Sequence, residues 1–132
     1  MQILVDSSVW IDYFKGTITP ETDYLDSLIG EAALVVPDMV IEEILYSLRD
    51  EPHRDKVWEV LVRFWLIEVR GVHLAWKSAR NYHALRARGL DIRPAQCRLA
   101  TFCIQEGLAL LHCSPGYEPF EKHLGLQVAR PK

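Results

Sequence analysis

Short apolar runs alternate along the chain with longer stretches in which apolar residues recur every three or four positions. "QILV" is β-branched and continuous enough for a buried strand, and "DSSVWIDYFKG" follows as a capped helix that stops at Gly16. "TPETDYLDSLIGE" carries Tyr24, Leu25, Leu28 and Ile29 at helical spacing after a Thr-Pro start, and "ALVV" is a second strand halted by Pro37. "DMVIEEILYSLR" predicts a helix capped by Asp38, with Val40, Ile41, Ile44, Leu45 and Leu48 forming its apolar stripe. "EPHRDKVWEVLVRFW" repeats the pattern through Val57, Trp58, Leu61, Val62 and Trp65, and "LIEV" follows as a third strand. Two more helices cover "VHLAWKSARNYHALRARG", stopped by Gly89, and "PAQCRLATFCIQEG", begun by Pro94 and ended by Gly107. "LALL", a turn-rich "HCSPGYEPF" and an apolar "LQVA" close the chain.

Strands separated by helices favour a parallel sheet, because parallel neighbours need crossover connections. The expected fold class is α/β: a three-layer α/β/α domain around a central, mostly parallel sheet. The length of 132 residues suits one domain spanning residues 1–132. Composition agrees, with 49% hydrophobic and 25% charged residues, the balance of an ordered globule. A net charge of -3 gives no global attraction to nucleic acid or anionic membranes, so any nucleic-acid site must be a local patch. Neither a signal-peptide core nor a membrane-spanning run stands out. The three cysteines, Cys97, Cys103 and Cys113, lack CxxC spacing and read as reduced thiols of a cytoplasmic protein. His112 and Cys113 are adjacent and do not make a standard zinc pair.

In such sheets ligands bind beyond the carboxyl ends of the strands, near the switch in strand order. Asp6 ends the first strand, and is either a cap for the helix that follows or a carboxylate presented to that crevice. Glu43 is its candidate partner. It borders the apolar stripe of its helix near Met39, Val40 and Ser47, whereas Glu42 lies about 100° away on the polar side. Arg80, Arg86, Arg88, Arg93 and Arg98, with Asn81, Tyr82 and His83 among them, form either a solvated helix face or an RNA-backbone groove.

"ILVDSSVWIDYF", "DMVIEEILYSLR", "ARNYHALRARGLDIR" and "LLHCSPGYEPFEKHLGLQV" together resemble the PIN-domain endoribonucleases of the VapC type, the toxin halves of bacterial toxin-antitoxin pairs. The resemblance implies a sandwich on a parallel sheet, acids binding Mg²⁺ or Mn²⁺, RNA cleavage, a homodimer and an antitoxin that plugs the site. Asp6 and Glu43 match the family's first two acids, and so are the catalytic and metal-binding candidates. Three other acidic positions fall on Gln96, Ser114 and Gly116. At the first, a register counted forward from "GLDIR" instead deletes the acid between Gln96 and Cys97. The last two lie in "HCSPGYEPF", where the family carries an Asn-Asp-x-Asp-Phe run.

Two carboxylates balance the charge of two divalent cations poorly, so the expectation is weak metal binding and RNA cleavage that is weakened or lost. Arg98 is a candidate to supply positive charge in the metal's place. Asp91 and Glu118 are the candidates to restore an acid, and Asp12 is expected to face solvent. The alternative is a non-catalytic PIN-like scaffold that binds RNA, itself or an antitoxin.

Overall fold

A computed structural model describes residues 2–131. Its elements run β1 (Gln2–Val5), α1 (Ser7–Phe14), α2 (Pro20–Leu28), β2 (Ala33–Pro37), α3 (Asp38–Tyr46), α4 (Glu51–Leu61), β3 (Trp65–Ile67), α5 (Val72–Arg86), α6 (Pro94–Glu106), β4 (Ala109–Leu111), a 3₁₀ turn (Pro115–Tyr117) and α7 (Glu118–Leu124). The strands form one sheet in the order β3-β2-β1-β4, and every pairing is parallel. Helices flank it, as in a three-layer α/β/α sandwich.

β1 is central because Ile3, Leu4 and Val5 are apolar on both faces, which suits a strand covered on two sides. Register places Ile3 opposite Leu34 and Ala109, and Val5 opposite Leu111. Strand order therefore reverses between β1 and β4, and the crevice between their carboxyl ends is where this architecture leaves room for a ligand.

Beside that crevice α1 sinks Trp10 into the core, stacked on Phe14 at 5.5 Å between ring centroids and tilted against Phe64 at 5.3 Å. α2 begins with a reciprocal cap, in which Thr19 and Thr22 satisfy each other's backbone N–H groups around Pro20. α6 ends on Gly107 at φ 67°, a left-handed turn that glycine adopts without a Cβ penalty.

Four expectations are corrected. The α4 pattern does not reach Trp65: the helix stops at Leu61, only Val57 and Leu61 of the expected stripe are buried, and Trp65 opens β3 at 68% exposure. Pairing of residues 65–67 with β2 claims this segment, overriding its helical spacing. The stretch "HCSPGYEPF" is not merely a turn, because α7 starts within it. Pro119 lies in the first turn of α7, where its missing N–H costs nothing. Asp38 is the first residue of α3 and does not cap it; its Oδ1 accepts from its neighbour Met39 N–H and, at 3.1 Å, from Val69 N–H.

Arg98 is the fourth. It does not face the acids. Its Nε–H and one terminal N–H both donate to the Val69 carbonyl, at 3.3 and 3.0 Å. Val69 is thus held at both its N–H and its carbonyl by charged side chains from two helices, fixing the link from β3 into α5.

Candidate functional site

Asp6 follows β1 with extended backbone and is only 7% exposed, its own N–H donating to the Leu111 carbonyl at 2.9 Å. It serves both of the roles open to it. Its carboxylate caps α1 through Ser8 N–H, and it lines a cavity of about 300 Å³ at the carboxyl ends of β1 and β4. Glu43 reaches the same cavity from α3, with Met39, and accepts from Ser7 Oγ–H at 3.3 Å. Gln96, Ser114 and Arg93 complete much of the wall.

Among the described residues the donors to the Asp6 carboxylate are all neutral. Ser8 Oγ–H donates to Oδ2 at 2.6 Å, and Tyr117 Oη–H donates to Oδ1 at 2.8 Å. Tyr117 is fully buried, and its ring lies 4.7 Å from the His112 imidazole, which accepts from Ser114 N–H. Burial and the neighbouring Asp6 charge push the phenol's pKa far above its ordinary value, so it stays a donor. Burial also lowers the pKa of His112, against the opposing pull of Asp6. Beneath the site, burial and Asp6 push the Cys103 thiol up to about 12, leaving it an inert core residue.

Opposite the acids, Gln96 Nε2–H donates to Ser114 Oγ at 3.1 Å, and Gly116 N–H donates to the same oxygen at 3.2 Å. A Cβ placed on Gly116 would overlap Gln96 Oε1. The glutamine amide therefore fills the space that a side chain at 116 would need, and the three positions form one interlocked unit.

Desolvation raises the pKa of Glu43, the Asp6 charge adds to that, the Ser7 hydrogen bond opposes it and Glu42 contributes last. A carboxyl raised in the folded state is destabilising when ionised. Glu43→Gln is thus expected to raise the melting temperature by roughly 2 °C at neutral pH, a small gain because solvent screens this exposed group. The gain should be complete above the raised folded value and vanish as pH falls below the ordinary value of 4.5. Melting curves of both chains across that range check it; a gain that persists in acid would reject the cause.

The remaining candidates lie elsewhere. Asp91 is exposed and 3.4 Å from Arg86, while Glu118 borders a different cavity with Leu90 and Lys122. Asp12 is partly exposed on α1, outside the acid cavity. Of the five arginines, only Arg93 lines that cavity. Arg80 stacks over Trp76 at 4.8 Å, Arg86 lies over Tyr82 at 5.9 Å, and Arg88 is exposed. A further cavity of about 360 Å³ between α5 and α6, lined by Tyr82, His83, Cys97 and Arg98, holds none of the acids.

These residues do not fit a pair of divalent cations. Mg²⁺ takes six oxygen ligands and favours charged ones, and a two-ion centre needs carboxylates enough to hold both. Among the described residues, no three His, Cys, Asp or Glu side chains come together at one point. Both oxygens of Asp6 already accept hydrogen bonds, and Gln96 and Ser114 offer only neutral oxygens. A single hydrated cation on Asp6 and Glu43 would have to compete with a hydroxyl donor at each Asp6 oxygen.

The model of the PIN domain matches residues 3–115. The chain belongs to the PIN-domain family. Solved structures share the fold of this PIN domain at low identity. VapBC2 from Rickettsia felis, bound to a DNA fragment from its promoter, matches with a TM-score of 0.75 and 13% identity over 98% of each chain. FitAcB from Neisseria gonorrhoeae matches with 0.75 and 18%, over 98% of this chain and 97% of that one. VapBC-1 from nontypeable Haemophilus influenzae gives 0.72 and 13% over 98% of each.

Tyr117 was not among the candidates read from the sequence, although it bonds directly to Asp6. The available signal was its place in the run: it follows Gly116, where the family pattern has Phe, and adds one hydroxyl to that ring.

Proposed function

We propose that this PIN domain is a VapC-type, toxin-like protein of the cytoplasm whose metal-dependent RNA cleavage is weakened or lost, and which pairs with a small antitoxin protein. The observation that carries the reading is the composition of one cavity. Asp6 and Glu43 share it, while Gln96 and Ser114, the latter bonded to Gly116 N–H, line it with no further carboxylate among the described residues. The low-identity structures of the VapBC complexes support the toxin-like part, since their fold is the same along nearly the whole chain. Asp6 and Glu43 are the charged groups to which a weakly held Mg²⁺ or Mn²⁺ would be directed.

The test is cleavage of a mixed RNA pool by the whole chain, with and without EDTA, against Asp6→Ala. Cleavage at the level of Asp6→Ala, unchanged by EDTA, is expected. Strong EDTA-sensitive cleavage abolished by Asp6→Ala would replace this reading with that of an ordinary ribonuclease.

The second reading is a non-catalytic scaffold that binds RNA, a second copy or an antitoxin. Arg93 at the cavity favours retained contact with an RNA phosphate even where cleavage is lost. Self-association is supported by Tyr46, Trp58, Trp65 and Trp76, large apolar side chains exposed at 45% or more. A homodimer of twice the 15.2 kDa chain mass is expected by light scattering at micromolar concentration; a monomer alone would count against it.

A further inference from the structure

We infer that the Tyr117 hydroxyl takes up the Asp6 oxygen that a divalent cation would need, so that Tyr117, beyond the missing acids, makes this cavity indifferent to Mg²⁺ and Mn²⁺. This rests on the depleted-site reading above and deepens it, by assigning the closure of the site to one side chain.

The geometry has three parts. A buried phenol must find an acceptor, and the one bonded to Tyr117 is Asp6 Oδ1, 2.8 Å away and 111 residues distant in sequence. A hydrogen bond to an ionised acceptor is stronger than one between neutral groups, so this contact competes with a cation as an ordinary surface hydroxyl would not. Second, the phenol is held in place. Tyr117 ends the 3₁₀ turn whose first N–H groups are ordered by Ser114, and Ser114 is tied to Gln96 and through its own N–H to His112. Third, the other oxygen is also engaged, by Ser8 Oγ–H at 2.6 Å.

A cation arriving at Asp6 must therefore compete with a hydroxyl donor at each oxygen of the carboxylate. It must also leave a buried phenol without the acceptor it now has. Removing the hydroxyl while keeping the ring should relieve that competition.

The test uses the whole chain and MnCl₂ alone as the probe, with free Mn²⁺ counted by its electron paramagnetic resonance signal. The parent is expected to take up no saturable Mn²⁺ below about 1 mM. Tyr117→Phe is expected to bind roughly tenfold more tightly than the parent, and adding Asp6→Asn to it should abolish the gain. Equal uptake by Tyr117→Phe and the parent would overturn the assignment, as would tight stoichiometric binding by the parent. Should Tyr117→Phe not fold, Ser8→Ala, which frees the other Asp6 oxygen, must show a gain of the same sign, and no gain there also overturns it.

The two ideas fail differently. A parent that neither cleaves RNA nor differs from Tyr117→Phe in Mn²⁺ uptake removes the role of Tyr117 and leaves the depleted site standing. EDTA-sensitive cleavage by the parent removes the depleted site itself.

Discussion

A chain carrying Gln96→Asp, Ser114→Asp, Gly116→Asp and Tyr117→Phe together is expected to cleave an RNA pool on the order of 100-fold faster than the parent in Mn²⁺, and to lose the gain in EDTA. The direction is electrostatic, because each new carboxylate reduces the charge deficit at a cation held between Asp6 and Glu43. The requirement for all four is steric and chemical. Gly116→Asp alone would drive its Cβ into Gln96 Oε1, whereas shortening Gln96 to aspartate withdraws that amide. Ser114→Asp alone would place its carboxylate where the Gln96 amide and Gly116 N–H already donate, so that those donors compete with a cation for it, and would leave Tyr117 on Asp6. The single changes should therefore give little, and the combination much more than their product. Cleavage rates and circular dichroism of the parent, the four single variants and the quadruple variant, with Asp6→Ala as background, decide it. A quadruple variant that folds and cleaves no faster than the parent would reject missing carboxylates as the limit.

Trp10→Ala is expected to be the most damaging single substitution in the core, costing about 3–5 kcal/mol and lowering the melting temperature by roughly 10–20 °C. Trp10 is wholly inaccessible, stacked on Phe14 with the rings 12° from parallel, tilted on Phe64 and met edge-on by Tyr13. Alanine would leave a cavity that three aromatic rings cannot close without leaving their rotamers. Trp10→Phe provides the contrast. The indole N–H has no partner among the described residues, so phenylalanine removes an unsatisfied donor along with some packing. Its loss should be roughly half that of alanine or less. Urea unfolding of the three chains measures both, and a cost for Trp10→Ala under about 1 kcal/mol would contradict the packing argument.

How much of this was legible in the sequence varies with the range of the interaction that decides each feature. β1 and β2 were readable because "ILV" after Gln2 and "ALVV" are unbroken apolar runs, as strands covered on both faces must be. The meeting of Asp6 and Glu43 was readable as well: one ends the central strand, and the other borders the buried stripe of the helix that follows its neighbour. β3 was misplaced since three residues carry too little pattern of their own, and pairing with β2 decides their conformation. α7 was hidden by Pro115, Gly116 and Pro119, residues that announce turns but are equally at home in the opening of a helix. Arg98 was drawn toward the acids by its nearness to Gln96, yet two residues on a helix lie about 200° apart. With Gln96 facing the cavity, Arg98 has to point away. Nothing local in the sequence announced the bond from Tyr117 to Asp6, a contact made by the whole fold.

The grip of Asp38 and Arg98 on Val69 changes what a charge-to-alanine survey of this surface can report. Arg98 would be counted among the basic residues proposed to hold RNA, but its guanidinium is engaged by a backbone carbonyl. Arg98→Ala would free that carbonyl and loosen the route into α5, on which Arg80 and Arg86 are mounted. A weakened RNA signal from that variant would be a false positive for direct contact. Asp38→Ala supplies the diagnostic counterpart: it releases the same residue at its N–H while removing a negative charge, so electrostatics alone would strengthen any RNA retention and a loosened backbone would weaken it.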